Sequence, residues 1–580
     1  MAGNAARAPD PYTPSQLWRH EPLQPESSIK ECKMGKFNRR QFLGSAGAAV
    51  AGAAAASSAH AATPTTKSTE RVVVIGSGFG GGVSALRLGE AGVKVLVLER
   101  GRWWPTGPNA DTFPVASAID KRVLFYNMWP ELFGKRIGIN PYAGLLEPVA
   151  GQNLTAVTPA CVGGGSLVYQ GMSMQPTEAL FAAAFPAGID YSEMNRVFYP
   201  RVAQMLQLEK APDELINSPT YLAARLFAQR AQAAGFDVEK INMPIDWRYA
   251  LAELRGEMKP SYTNGNGALG VNNGGKHSVD VTYLKQAMDT GNVTVASLHN
   301  VTRVARAANG MWTVYVDRTD ETGTVLEHKV ISTKTLIMSA GTINTVKLLV
   351  RAGARGDITG LPDGLGQGYG TNGDQIYIWS DQNLNMGAPQ GGPVIYGSRE
   401  WANPQLANTV IQASLPPLSK TAAGVSVVLP EALLPSATQV ATSEAGTGHA
   451  TMLVGYGVSA GRGKLVYNPL TDKVELKWPK TGDAVIAKRI KERLSAIAGP
   501  TGKLINTNDL VNSTWHSLGG ANIGVVCDLE GRVKGQKGLY VLDGALMPGT
   551  TCACNPSWTI AAVVERALDR IVRNDVGTII

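Results

Sequence analysis

Arg71-Val72-Val73-Val74-Ile75-Gly76-Ser77-Gly78-Phe79-Gly80-Gly81 is the stretch on which the reading of this chain turns. Its first five residues form a short, β-branched, apolar run suited to a buried parallel strand, and the glycines follow without a spacer. A helix is expected next, carrying Val83, Leu86 and the small residues of Gly89-Glu90-Ala91-Gly92. Lys94-Val95-Leu96-Val97-Leu98 then gives a second strand ending at Glu99. This is a βαβ unit with an acid at its second strand end. Gly76 permits a tight turn, Gly78 lets a pyrophosphate approach the backbone, Gly81 allows close packing of helix on sheet, and Glu99 can accept hydrogen bonds from ribose hydroxyls. A dinucleotide is therefore expected at Gly76, Gly78, Phe79, Gly80, Gly81 and Glu99. The acid disfavours a 2′-phosphate, and with it NADP, but the fingerprint alone does not separate NAD from FAD. Only one fingerprint is present, which points to a single, tightly held cofactor.

The rest of the composition agrees with a large globular protein. At 580 residues, with 44% hydrophobic and 17% charged residues, the chain has room for two or three domain-sized units. Its formal charge is +8, but residues 1 to 61 hold seven Lys or Arg and four Asp or Glu, so the remainder carries +5. No basic cluster marks a nucleic-acid surface, and the excess reads as ordinary solubility. Within the first 61 residues, Lys36-Phe37-Asn38-Arg39-Arg40-Gln41-Phe42-Leu43 places paired arginines ahead of a weakly apolar Ala/Gly stretch that ends in Ala59-His60-Ala61. This is the pattern of a twin-arginine export signal, and the expected destination is periplasmic or secreted. Met34 is an alternative start to Met1. A membrane anchor is the competing reading, and the Gly and Ser content of the stretch weighs against it. Cys161, Cys527, Cys552 and Cys554 are too few and scattered for a disulfide framework, and Cys552-x-Cys554 lacks the spacing and companions of a metal site.

Farther along, residues 141 to 176 read as loop-rich around a second glycine-dense run, Gly163-Gly164-Gly165, whose amides can approach a cofactor or serve only as a turn. Val293-Thr294-Val295, Trp312 to Val316 and Thr335 to Met338 read as strands, the last leading into Ser339-Ala340-Gly341. Residues 355 to 450 are rich in Gly and Pro and weakly patterned, as expected of loops that cover a substrate. Near the C terminus a strand over 538 to 544 ends in Asp543-Gly544. Asn555-Pro556 then opens a helix with Ile560, Val563, Val564, Ala567, Leu568 and Ile571 on one face, Asn fitting the N-cap and Pro the first turn. Trp515-His516-Ser517-Leu518-Gly519-Gly520 supplies a candidate proton acceptor.

The chain resembles the glucose-methanol-choline (GMC) flavoprotein oxidoreductases, and within them the bacterial cholesterol oxidases with non-covalent FAD. The likeness runs from about Arg71 to the end. It is carried by GSGFGGGVSALRLGEAGVKVLVLERG from Gly76, NPYAGLLEPV from Asn140, GGGSLV from Gly163, KHSVDVTYL from Lys276, WHSLGG from Trp515 and GRVKGQKGLYVLDGALMPG from Gly531. The resemblance implies an α/β and α+β protein. A discontinuous Rossmann-like FAD-binding domain (70–108, 277–366 and 531–580) would join a mixed-sheet substrate domain (109–276 and 367–530). It implies oxidation of the 3β-hydroxyl of a sterol, with O2 reduced to H2O2, by a monomer that touches lipid surfaces transiently. It places His516 against the substrate hydroxyl and Asn555 near both hydroxyl and flavin. It adds Gly164, Gly165, Tyr169, Met172, Val301, Asp543, Gly544, Asn555 and Ser557 to the FAD contacts. Imidazole can take the hydroxyl proton as hydride leaves carbon, an amide can orient the oxygen, and the helix from Pro556 can aim its positive end at reduced flavin. For His516 the competing reading is a buried structural histidine, and for Asn555 a plain N-cap.

Several positions depart from that pattern. Trp515-His516-Ser517 stands where the family has Tyr-His-Pro, Tyr169-Gln170 where it has Asn-Gly, and Ser557-Trp558 follows Asn-Pro in place of an aromatic-aliphatic pair. The family glutamate that moves a proton in Δ5 to Δ4 isomerisation has no clear counterpart. One alignment puts Thr421 there and another lands near Gly446, with Glu431 and Glu444 unassigned between them. The alternatives to an oxygen-using oxidase are a dehydrogenase passing electrons to a quinone or cytochrome, and a non-catalytic flavin- or lipid-binding protein.

Overall fold

The computed structural model describes residues 63–115, 120–125, 141–265, 267–392, 394–415, 448–509 and 512–580. The expected twin-arginine leader, Thr421, Glu431 and Glu444 lie outside these residues. Strand β1 (Thr65–Ile75) is the spine of a seven-stranded sheet. The apolar run that announces it is only its buried end, where Val72, Val73, Val74 and Ile75 are enclosed. Its first residues, polar and exposed, pair with the early part of a long neighbour and leave no apolar trace in the sequence. That neighbour, β9 (Val325–Met338), runs parallel to β1 on one side, and β2 (Val95–Leu98) runs parallel on the other. β6 (Val293–Ala296) extends the parallel set beside β2, and β16 (Leu539–Val541) does so beside the end of β9. β8 (Trp312–Thr319) and β7 (His299–Arg306) continue the sheet antiparallel from the first half of β9.

A parallel neighbour requires a crossover, and α1 (Phe79–Glu90) supplies it between β1 and β2. The parallel strands thus end side by side at Ile75, Leu98, Met338 and Val541, leaving a crevice at their carboxyl ends of the kind that binds nucleotides. The C-terminal helix α6 (Pro556–Asn574) lies against α1. Where they meet, the wholly buried Glu565 accepts from Arg87 Nε and Nη2 (both 2.8 Å), Tyr283 Oη (3.0 Å) and Arg201 Nη1 (3.3 Å).

A second sheet has the order β14 (Lys503–Asn506), β10 (Gln375–Ser380), β13 (Ala450–Gly457), β12 (Asn408–Ala413), β11 (Tyr396–Glu400) and β5 (Val238–Lys240), all antiparallel. Phe227 of α3 (Leu222–Ala233) and Ile486, Ile490 and Leu494 of α5 (Ala484–Ala498) pack on its Tyr377, Trp379, Val410 and Leu453. Four of these strands lie within or at the edge of 355–450, which reads from sequence as covering loops. The reason is burial on both faces: all six residues of β12 are buried, so its sequence has no alternation to reveal it. Residues 141–176 likewise contain a hairpin, β3 (Leu146–Gly151) and β4 (Leu154–Pro159), and β15 (Ser513–Thr514) adds to it in parallel just before His516. Residues Thr63–Ile580 form one packed unit.

Replacing Glu565 with alanine leaves the partly buried Arg87 with only Glu90 as a carboxylate partner and removes the acceptor of Tyr283 Oη, a loss expected to cost roughly 1–3 kcal/mol. The variant is expected to unfold at correspondingly lower urea concentration, whereas Glu90→Ala, at the exposed side of the same arginine, is expected to change the midpoint little.

Candidate active site

The carboxyl ends of β1, β2 and β9 open into a cavity of 940 Å³. Gly76, Gly78, Phe79, Gly80, Glu99, Gly164, Gly165, Val301, Asp543 and Gly544 line it, together with Ser339, Ala340 and Gly341. Gly81 does not; a Cβ there would stand 2.1 Å from Gly76 O, so this glycine seats the helix on the turn. Gly78 differs. Its φ of −72° suits any residue, and a Cβ built on it meets nothing closer than Gly164 Cα at 3.8 Å. The space it leaves open is therefore cavity, not packing. Gly78 also caps α1 without a side-chain hydrogen bond, and no acid occupies the first helical turn. The N–H groups and positive end of α1 are left for an anion, as a pyrophosphate requires.

Glu99 has a second task that the sequence does not announce. Its carboxylate accepts from Ser77 N (3.1 Å), Ser77 Oγ (2.6 Å) and Gly101 N (2.9 Å), so it latches the glycine turn and keeps about one acceptor position for a ribose. Ser77 Oγ in turn accepts from Gly163 N at 3.2 Å, tying the two glycine loops together. Asp543 is enclosed and accepts from Thr345 Oγ1 (2.6 Å) and Ala545 N (2.8 Å). Burial pushes its carboxyl up to about 6, against the pull of those hydrogen bonds.

Tyr169, Met172, Asn555 and Ser557, also expected at the cofactor, are not among the residues that line this cavity. Tyr169 meets Phe79 edge-on, with ring centroids 5.7 Å apart. Its hydroxyl and Gln170 Oε1 are buried without a hydrogen-bond partner among the described residues, a condition that costs roughly 1–3 kcal/mol per group and that a bound polar group would relieve. Lys276, given no role from sequence, is buried with its ammonium on Leu167 O (3.0 Å) and Tyr169 O (2.5 Å). Burial lowers its pKa to about 7.

His516 is not itself among the residues that line the cavity, whereas its chain neighbours Trp515 and Ser517 both are. Its Nδ1 is 2.7 Å from Asp374 Oδ1, and its ring meets Tyr456 edge-on at 5.7 Å. Its Nε2 has no hydrogen-bond partner among the described residues. Tyr456 Oη reaches Met174 Sδ (3.5 Å), and Met174 N donates to Asn555 Oδ1 (3.2 Å), so one run of contacts joins the two candidate residues. Asn555 is at the N-cap position of α6, yet its side chain does not cap the helix. Its amide nitrogen donates to Met172 O and to Ser557 Oγ (3.0 Å). Both donors are committed, so the capacity left for a substrate is one lone pair on Oδ1, an acceptor rather than the donor that an amide would offer a substrate oxygen. Asp374, which no motif flags, completes the set.

A family model for GMC oxidoreductases matches residues 137–367, and its C-terminal counterpart matches 468–563. The chain belongs to the GMC oxidoreductases. Among relatives, it is 28% identical to a cholesterol oxidase of Mycobacterium tuberculosis (strain ATCC 25618 / H37Rv), over 86% of this chain and 90% of that one. It is 24% identical to a cholesterol oxidase of Acinetobacter baumannii, over 86% and 94%. A solved structure of pyridoxine 4-oxidase from Mesorbium loti superposes with a TM-score of 0.58 at 16% identity, covering 86% of this chain and 99% of that one, a likeness of fold. GMC oxidoreductases are flavoproteins that bind FAD, and the open face at Gly78, the uncapped start of α1 and the acid at Glu99 fit such a dinucleotide. Because the space beside Gly78 is cavity, Gly78→Val in this GMC oxidoreductase is expected to leave the unfolding midpoint of flavin-free protein nearly unchanged. The same substitution should abolish flavin retention through gel filtration.

Proposed function

We propose that this GMC oxidoreductase oxidises the secondary hydroxyl of a sterol or similarly bulky alcohol to the ketone, passes the electrons to O2 to give H2O2, and holds FAD without a covalent bond. The observation that carries the reading is the setting of His516. It follows cavity-lining Trp515 and precedes cavity-lining Ser517 in the chain, is held at Nδ1 by Asp374, and has no partner at Nε2 among the described residues. The alcohol loses a proton from oxygen and a hydride from carbon; FAD, when bound, accepts the hydride, and His516 Nε2 accepts the proton. Asn555, bonded through both ends of its amide to Met172 O, Ser557 Oγ and Met174 N, holds that backbone in place at the start of the helix. The curated relatives that are cholesterol oxidases support the sterol in particular. Non-covalent attachment is favoured because no histidine lies between Cys161 and Gly171.

His516→Ala is expected to keep its flavin but to lower the anaerobic rate of flavin reduction by a sterol roughly 10²- to 10⁴-fold, the usual worth of a positioned proton acceptor. Asn555→Leu should slow the same step. Near-normal bleaching in the His516 variant would return that residue to a structural role, and peroxide yield against dye reduction reads the electron acceptor. Acid precipitation of the native protein should leave a colourless pellet and yellow supernatant; flavin retained in the pellet would contradict non-covalent binding.

A further inference from the structure

The His516 ring has two nitrogens, and the chemistry proposed above needs a particular one of them bare. We propose that Asp374 is a positioning residue that selects the tautomer of His516, keeping the proton on Nδ1 and the lone pair on Nε2, where the substrate hydroxyl is met. The inference rests on His516 being the proton acceptor.

The geometry is over-determined. Asp374 is 5% exposed at the start of β10. Its Oδ1 faces His516 Nδ1 at 2.7 Å. Its Oδ2 accepts from Trp515 N at 3.0 Å and from Thr514 Oγ1 at 2.8 Å. Its backbone carbonyl accepts from Asn508 Nδ2 (2.9 Å) and Gln375 Nε2 (2.7 Å), so the residue has little freedom to turn. A carboxylate can only accept, and the ring nitrogen opposite must therefore carry hydrogen. When the ring gains a second proton, the same carboxylate faces the new charge at hydrogen-bond distance, an arrangement familiar from proton-relaying histidines in unrelated enzymes.

The two oxygens are not equivalent, and this makes the inference sharp. Thr514 can turn its proton to Thr371 O, 3.1 Å away, but the N–H of Trp515 is fixed and must find an acceptor. In Asp374→Asn the amide oxygen is therefore drawn to Trp515 N, and the NH2 group is left facing His516 Nδ1. That nitrogen must then accept, the proton moves to Nε2, and the ring offers the substrate a donor where it needs an acceptor. In Asp374→Ala the ring loses its anchor, yet both tautomers stay open to it. The near-isosteric asparagine should thus harm the reaction more than alanine does, the reverse of what a space-filling role requires.

The experiment uses the FAD-loaded protein with 15N-labelled histidine, of which the chain has 7, and assigns His516 by its absence in His516→Ala. Long-range nitrogen–proton NMR couplings should show the Nδ1–H form in native protein and the Nε2–H form in Asp374→Asn. Anaerobic flavin reduction by a sterol should fall on the order of 10²-fold or more in Asp374→Asn and by less in Asp374→Ala, with little change in the substrate concentration for half-saturation. An Nε2–H ring in the native protein overturns the proposal without any variant. So does an Asp374→Asn enzyme that keeps the Nδ1–H form or outpaces Asp374→Ala. If His516→Ala itself reduces flavin normally, the failure belongs to the proposed function instead.

Discussion

The molecule depends on a place where backbone meets backbone with no side chain between. A Cβ on Gly76 would stand 2.1 Å from Ser339 O, and one on Gly80 would stand 1.7 Å from Leu542 O. Three strand ends that are remote in sequence can converge only because those atoms are missing. The convergence sets Gly76 to Gly80, Ser339 to Gly341 and Asp543 to Gly544 around one cavity. Elsewhere along the sheet, substitution by another apolar residue is a matter of volume. Here it is a matter of whether the crevice closes.

The second sheet holds the chemistry in register with that crevice through a short segment, 371–374. Asp374 reaches His516, while Asn372, buried and with φ of 56°, donates from Nδ2 to Cys554 O (2.7 Å) and accepts from Thr551 N (3.1 Å). The turn it grips is strained: Cys552 and Ala553 have φ of 63° and 61°, each costing on the order of 1–2 kcal/mol. Thr409 Oγ1 of β12 adds a hydrogen bond to Ala553 O at 2.7 Å. The strained turn sits directly before Asn555, so the tie that offsets its cost also places that amide.

What could be read from sequence was local in cause. The strand, glycine turn, helix and Glu99 lie within thirty residues and each constrains the next, so pattern sufficed. The helix from Pro556 was equally plain from its one-sided apolar face. The six-stranded sheet was hidden because its central strand β12 is enclosed throughout and carries Asn408, Thr409 and Gln412 inside. Asp374 was hidden for a different reason: in Gly370-Thr371-Asn372-Gly373-Asp374 an aspartate reads as a turn residue, and its partner is 142 positions away. The amide of Asn555 was assigned by position alone, whereas its direction is dictated by the backbone of residues 172 and 174, which no motif connects to it.

The burial of Glu565 against Arg87 and the pairing of β16 with β9 impose an order on the making of the protein. The crevice begins at Gly76, but one of its walls and the helix that braces α1 come from residues after 538. At about 5–20 residues synthesised per second, the glycine turn waits on the order of half a minute or longer for its partners. Through that interval the end of β9, Leu336 to Met338, is an unpaired strand edge and Arg87 lacks the carboxylate of Glu565. The growing chain is therefore exposed to wrong pairings until its last segment emerges.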